Sequence, residues 1–203
     1  MSIIIVRHGN TEYNTARVFQ PHHATLSELG LQQAKLCGER LKSYKIVKIL
    51  TSDLMRTKQT TQEILAARNG NVEVIESELL REREFGDLKG KSYDHIQGKW
   101  YHPNSDYKPP NGENWSMFHD RIKTAWNWIL EHARDSIKSP EEAIVVVTHG
   151  LVKTSLASKI WNSGNSKIPS FENTSVSIVS IDHPHDVQEL NSTTHLDNLS
   201  SKL

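Results

Sequence analysis

Arg7 and His8 stand side by side ahead of Gly9, and the same residue types return at Arg56 and at His149-Gly150. A phosphate dianion is held by such groups. Guanidinium forks match its oxygens two at a time, and a cation about 4 Å away contributes roughly 4 kcal/mol at an effective dielectric near 20, before desolvation. The set also contains a nucleophile. An imidazole ringed by Arg7, Arg56 and a second imidazole has its protonated form disfavoured, which leaves a neutral ring nitrogen able to attack phosphorus. Gly9 frees the backbone to approach a ligand closely. Transfer to and from such a nucleophile needs a carboxyl group that protonates a leaving alkoxide and later deprotonates a water.

The elements that must position these residues are legible as alternating strands and helices. Residues 3–6 form a short β-branched run suited to a strand covered on both faces, and 46–50, 72–75 and 143–147 echo it. Helical spacing covers 27–44, 53–67 and 114–134, with Phe118, Ile122, Ala125 and Ile129 on one stripe, and then 150–161. Residues 175–181 alternate as a late strand, and a final strand is expected near 187–190. The pattern predicts an α/β protein: a three-layer α/β/α sandwich with a mainly parallel central sheet, one domain over residues 1–203. Residues 90–114, which hold Pro103, Pro109 and Pro110, break the alternation and read as a lid over one end of the sheet. Ligands of open α/β sheets sit beyond the carboxyl ends of the strands. Arg7-His8-Gly9, Thr51 to Arg56, and Thr148-His149-Gly150 all follow strands, so they converge on one edge.

The chain resembles the histidine phosphatase superfamily, the group that includes cofactor-dependent phosphoglycerate mutase and the fructose-2,6-bisphosphatases. The likeness is carried by Arg7-His8-Gly9-x-Thr11-x-x-Asn14, Ser52-Asp53-Leu54-x-Arg56-Thr57-x-Gln59-Thr60, Leu80-Arg81-Glu82-Arg83-x-Phe85-Gly86, Gly112-Glu113, Thr148-His149-Gly150 and Asn173-Thr174-Ser175, and extends to Leu190-Asn191 and His195-Leu196. It implies that His8 is the phosphorylated nucleophile and His149 the second histidine of the site. Arg7, Arg56, Asn14 and Gly150 would bind phosphate, with Gln20 near the substrate. Glu82 would be the acid/base carboxylate, with Glu84 and Asp87 as alternatives. A loop asparagine also commonly bonds its own backbone, which is the plainer reading of Asn14.

The resemblance implies a phosphatase acting on a small phosphorylated metabolite, with a phosphoglycerate mutase and a non-catalytic binding module as alternatives. The stretch between Glu82 and Gly112 is short for the longer insertion of glycolytic mutases, which favours hydrolysis. The chain departs from the common pattern at Gln20-Pro21, where glycine is usual after Gln20, and at Gly112-Glu113-Asn114, where serine is usual in place of Asn114. Both departures bear on the leaving-group pocket.

The 24 basic and 24 acidic side chains cancel, so no net field draws the molecule to nucleic acid or an anionic membrane. The apolar residues after Met1-Ser2 are too few for a signal peptide and no run approaches a membrane span, so a cytoplasmic location is expected. Cys37 sits in a helical pattern with Ala34 and Leu41 and reads as a buried thiol. His22-His23 and His183-x-His185 lack metal-ligand spacing and read as exposed loop residues, with His22 and His23 near the pocket. No metal and no cofactor is called for. Trp100, Tyr101, Tyr107 and Trp115 would either stack on a ligand or pack the lid. Oligomeric state leaves no mark in the sequence.

Overall fold

The computed structural model describes residues 1–95, 107–161 and 170–200. In chain order the elements are β1 (Ser2–Arg7), α1 (Glu12–Thr15), α2 (Glu28–Leu41), β2 (Lys45–Thr51), α3 (Met55–Ala66), β3 (Glu73–Glu76), α4 (Trp115–Ser136), β4 (Glu142–Thr148), α5 (Gly150–Lys159), β5 (Val176–Ser180), β6 (Val187–Ser192) and α6 (Asp197–Ser200). The expected strands and long helices are all present. The helix expected over 27–44 stops at Leu41, where Lys42 caps it. The short α1 was expected as loop. It forms because Thr11 and Asn14 make a capping box, Thr11 accepting from the Asn14 N–H and Asn14 accepting from that of Thr11.

The sheet has six strands in the order β3-β2-β4-β1-β5-β6. β3, β2, β4 and β1 run parallel, and β5 and β6 are antiparallel additions at one edge. Alternation along the strands splits the core into two layers. Ile3, Ile5, Ile144, Val146 and Val179 face α4 and α5, meeting Phe118, Ile122, Ile129, Val152 and Leu156. Ile4, Val6, Val145, Val147 and Val176 face α2 and α3, meeting Cys37, Leu41 and Ile64. Cys37 is wholly buried, and burial pushes its thiol up to about 12.

β1 and β4 are neighbours in register, Arg7 opposite Thr148, yet the helices that follow them pack on opposite faces. That divergence opens a crevice between the two strand ends, at the topological switch point where open α/β sheets bind ligands. The flanks of the lid stretch return to the start of the chain: Phe19 and Gly90 exchange backbone bonds with Lys91 and Phe19, and Tyr93 donates to Arg17 O. Trp100, Tyr101 and Pro103 lie outside the described residues.

Candidate active site

His8 follows β1, its N–H donating to Thr148 O at 2.9 Å. Its ring is 2 % exposed, and its Nδ1 lies 2.7 Å from Gly9 O. A carbonyl only accepts, so Nδ1 carries the proton of the neutral ring and Nε2 keeps a bare lone pair. Burial, then Arg56 and Arg7, hold the His8 pKa well below the usual imidazole range, against a smaller opposing pull from the Gly9 bond. The cationic neighbours were foreseen as the cause. Burial is the larger one.

The ring of His149 meets that of His8 edge-on, with centroids 5.2 Å apart. His149 precedes α5 and is fully buried, with Nε2 3.0 Å from Ser52 Oγ. Ser52 Oγ also accepts from the Leu54 N–H at 3.4 Å, so this hydroxyl ties the His149 ring to the loop after β2. Burial, then Arg56, His8, Arg7 and Arg121, keep this ring neutral too.

Arg56 lies in the first turn of α3 and is 2 % exposed. The motif around it is a set of ties. Thr60 Oγ1 donates to Arg56 O at 2.8 Å and accepts from Gly9 N–H at 3.1 Å, while Gln59 Oε1 accepts from Leu26 N–H at 2.8 Å. These bonds weld the start of α3 to the loop after β1. Arg7 donates from Nη1 to Phe171 O, and Arg56 from Nη1 to Pro21 O at 3.3 Å. Burial lowers both guanidinium pKa values, that of Arg56 to about 10, so both remain charged near neutrality. Arg7 Nε, Arg56 Nε and His149 Nδ1 are buried without a hydrogen-bond partner among the described residues.

Glu82 faces the same cleft. Its Oε1 accepts from Arg83 N–H at 3.1 Å and its Oε2 from Leu151 N–H at 3.2 Å, at the start of α5. Burial raises its pKa, and the two backbone bonds, Arg56 and Arg7 pull the other way. Of the alternative carboxylates, Glu84 also lines the cleft and Asp87 does not. Glu84 is engaged by Lys89, His22 and the Gly86 N–H. Asp87 is exposed and accepts from Asn111.

Arg7, His8, Asn14, Gln20, Arg56, Glu82 and Gly150 all line one cleft of about 1110 Å3, with His149 directly behind His8. Asn14 makes the local bonds expected of a loop asparagine, its Oδ1 accepting from the Thr11 N–H and hydroxyl, and it also lines the cleft. Gln20 lines it with Oε1 unpartnered among the described residues. His22 lines it and His23 does not, and His22, His23, His183 and His185 are all exposed. Trp115, the first residue of α4, is buried in the core and also lines the cleft, with the Arg83 guanidinium 4.4 Å from its ring centre.

Two glycines also have packing reasons. A Cβ on Gly9 would lie 2.4 Å from Gly30 O, so glycine there serves the crossing of the β1 loop over the start of α2. On Gly150 it would lie 3.3 Å from Arg7 Nε, so that glycine leaves room for the guanidinium. Of the departures, Asn114 caps α4 by accepting from Met117 N–H at 2.8 Å, which serine would do equally. Arg56 uses the backbone carbonyl of residue 21, which glycine would supply as well, so proline there has no structural explanation.

Sequence reasoning missed Arg121 and Lys153. Arg121 grips Glu113 with Nε and Nη2 at 2.8 and 2.7 Å, and donates to Leu79 O, Arg81 O and Glu82 O, so it clamps the turn that bears Glu82. Lys153 is fully buried and donates to Ile5 O, Ser175 O and Ser175 Oγ beneath Arg7. The available signal was a cation on a buried stripe: Arg121 adjoins Ile122, and Lys153 falls between Val152 and Leu156.

A buried neutral imidazole, paired arginines and a carboxyl group thus share one cleft at the switch point of the sheet, an arrangement suited to holding a phosphoryl group. Residues 3–193 match the histidine phosphatase superfamily, branch 1, and the chain belongs to that superfamily. Phosphoglycerate mutase-like protein 4 of Arabidopsis thaliana is 38% identical over 186 residues, covering 87% of this chain and 77% of that protein. Fructose-2,6-bisphosphatase TIGAR B of Danio rerio is 33% identical over 162 residues, covering 74% of this chain and 63% of that one. The solved structure of YhfR from Bacillus stearothermophilus matches with a TM-score of 0.80 at 25% identity, across 97% of this chain and 99% of that one. Among the described residues no helix is long and apolar enough to cross a membrane, and no group of three potential metal ligands is found.

Proposed function

We propose that the chain is a metal-independent phosphatase that hydrolyses a small phosphorylated metabolite in the cytoplasm, in two steps through phospho-His8. The observation that carries this reading is the neutral His8 ring. Its proton is held at Nδ1 by Gly9 O, and Arg7, Arg56 and Glu82 share its cleft.

A phosphate dianion entering the cleft takes the free edges of Arg7 and Arg56, with the unpartnered His149 Nδ1 as a further ligand in the tautomer that carries its proton there, while Asn14 has its amide nitrogen to offer. His8 Nε2 attacks phosphorus. The P–N bond forms as the P–O bond to the leaving group breaks, and the Glu82 carboxyl passes its proton to the departing oxygen. Water then attacks phospho-His8, giving a proton to the Glu82 carboxylate. The P–N bond breaks, its electron pair returns to Nε2, and inorganic phosphate leaves. Burial of Glu82 favours the protonated form needed first, and the nearby arginines favour the carboxylate needed second.

The test is labelling. Incubation with a radiolabelled phosphate ester should give an acid-labile, base-stable phosphoenzyme, and His8→Ala should lose both that label and turnover of p-nitrophenyl phosphate. A clean His8→Ala preparation that retains turnover refutes the reading. A chain that neither takes the label nor releases phosphate is instead the binding module considered from the sequence. The mutase reading is favoured by the relatives, several of which, besides the Arabidopsis protein, are phosphoglycerate mutases. It requires phospho-His8 to return its phosphoryl group to a hydroxyl rather than to water. Incubation with 3-phosphoglycerate and a bisphosphate primer separates the two by the yield of isomer against free phosphate.

A further inference from the structure

The polar tail after β6 reaches the nucleophile through a chain of oriented hydrogen bonds. Arg40, on α2, donates from Nη2 to Glu189 Oε1 at 2.7 Å, and from Nη1 to Ser192 O at 3.2 Å and to His195 Nδ1 at 3.3 Å. A guanidinium has no acceptor, so His195 Nδ1 must accept, and the proton of the neutral ring then sits on Nε2. That atom lies 3.1 Å from Thr174 Oγ1 and donates to it. Thr174 Oγ1 in turn donates to Asn173 O at 2.8 Å, and Asn173 Nδ2 donates to His8 O at 2.9 Å. Every donor and acceptor role from Arg40 to His8 is fixed by its neighbour.

Thr174 is also backbone-strained. Its φ of +56° lies in the left-handed region, unfavourable for a β-branched residue. What that conformation achieves is local: the Thr174 N–H reaches Arg7 O at 3.0 Å and His8 O at 3.3 Å. The hydroxyl bond from His195 is the side-chain restraint that holds the strained turn in place. Burial, then Arg40, bring the His195 pKa down to about 4, so the ring stays neutral and the bond order is kept at higher pH.

We infer that His195 is a positioning residue: through Thr174 it presses the turn at 173–174 onto the carbonyls of Arg7 and His8 and so fixes the attacking ring. The tail therefore completes the active site without touching substrate. This rests on the reading of His8 as nucleophile.

The test compares His195→Leu, which removes both bonds, with His195→Gln, whose amide can restore the donor to Thr174. Thr174→Val keeps the shape and the strain but loses the hydroxyl, and Thr174→Ser keeps the hydroxyl. Misplacement of a reacting atom by about 1 Å is worth on the order of 100-fold in rate, so His195→Leu and Thr174→Val should lower kcat by about ten- to a hundredfold. KM and inhibition by inorganic phosphate, which report on Arg7 and Arg56, should stay near their starting values. His195→Gln and Thr174→Ser should recover most of the loss. If His195→Leu does not fold, Thr174→Val and its serine counterpart carry the comparison. A phosphoenzyme missing from the unaltered chain counts against the His8 reading and is seen before any variant is made. An active unaltered chain whose Leu or Val variant keeps its kcat, or loses kcat and phosphate binding alike without rescue, overturns the positioning role alone.

Discussion

Arg121→Met should weaken both the fold and the chemistry, and what the guanidinium touches sets the size of each effect. The substitution leaves the Glu113 carboxylate with the Glu84 N–H at 2.9 Å, and takes a donor from the carbonyls of Leu79, Arg81 and Glu82. Breaking a buried ion pair on one side costs about 3–5 kcal/mol. Here the Arg121 and Glu113 side chains are 19% and 15% exposed, so water can reach the orphaned groups. A loss of about 2–3 kcal/mol is expected, a large share of the roughly 5–15 kcal/mol that a domain has in total but not all of it. At an m-value of about 2–3 kcal/mol/M, the urea midpoint should fall by about 1 M. The chemical effect comes through Glu82, whose turn is no longer clamped although its carboxylate keeps the bonds from Arg83 and Leu151. Displacement of that carboxylate by about 1 Å should reduce kcat by on the order of 100-fold. Inhibition by phosphate should hardly change, because Arg7 and Arg56 are anchored to other segments. Urea melts, steady-state kinetics and phosphate inhibition on one preparation decide the matter. A variant with the original midpoint and the original kcat would show that the clamp is not needed.

Glu82→Gln should lower kcat by about 100-fold or more while inhibition by phosphate changes little, since it removes a proton donor and not a cation; equal losses in both would point to a binding role. His8 and His149 are held neutral, so the unfolded chain takes up protons below about pH 6.5 that the folded chain refuses. Stability should therefore be fully present above that pH and decline as pH falls below it, by about 1.4 kcal/mol per pH unit for each histidine, and His8→Gln should remove one share of that slope in urea melts. A slope unaltered by His8→Gln would mean that its imidazole is solvated. Gly30→Ala should destabilise by about 2 kcal/mol or more, because its Cβ would fall 2.0 Å from Asn10 O, a backbone atom that can yield only by moving the loop beside His8. A thermal melt within a degree or so of the parent would contradict the close crossing.

The order of strands and helices was legible because β-branched runs such as Ile3 to Val6 must be covered on both faces, and the helices that cover them carry apolar stripes. The convergence of Arg7, Arg56 and His149, the proposed phosphate ligands, was legible because a strand end is a fixed address: they lie at or soon after the ends of adjacent parallel strands. What could not be read is what depends on contacts across long stretches of chain. Arg121 reaches back to Glu113, just ahead of α4, and its other partners, the carbonyls of Leu79, Arg81 and Glu82, lie about forty positions away on the sequence. The depth of His8 and His149 is also a property of the assembled layers, which is why burial and not the neighbouring cations leads their shifts. α1 is too short for helical periodicity to register, and only the Thr11 and Asn14 pair marked it.

The cleft is built in two manners, and the difference bears on substrate choice. The half around His8, the proposed phosphate site, is held by buried and half-buried bonds, including Thr60 with Gly9, Ser52 with His149 and Asn173 with His8. Such bonds are costly to lose and leave little freedom. The other half rests on the rim pairs of Glu84 with His22 and Lys89, whose partners are about a third to a half exposed at 28%, 45% and 29%. Exposed pairs of this kind contribute little, about 0–1 kcal/mol, so residues there can change without endangering the fold. A fixed phosphate half beside a replaceable rim lets one fold serve different leaving groups. It follows that substitutions at His22 or Lys89 should shift KM among phosphate esters more than they shift kcat for p-nitrophenyl phosphate, whose small leaving group makes little use of the rim.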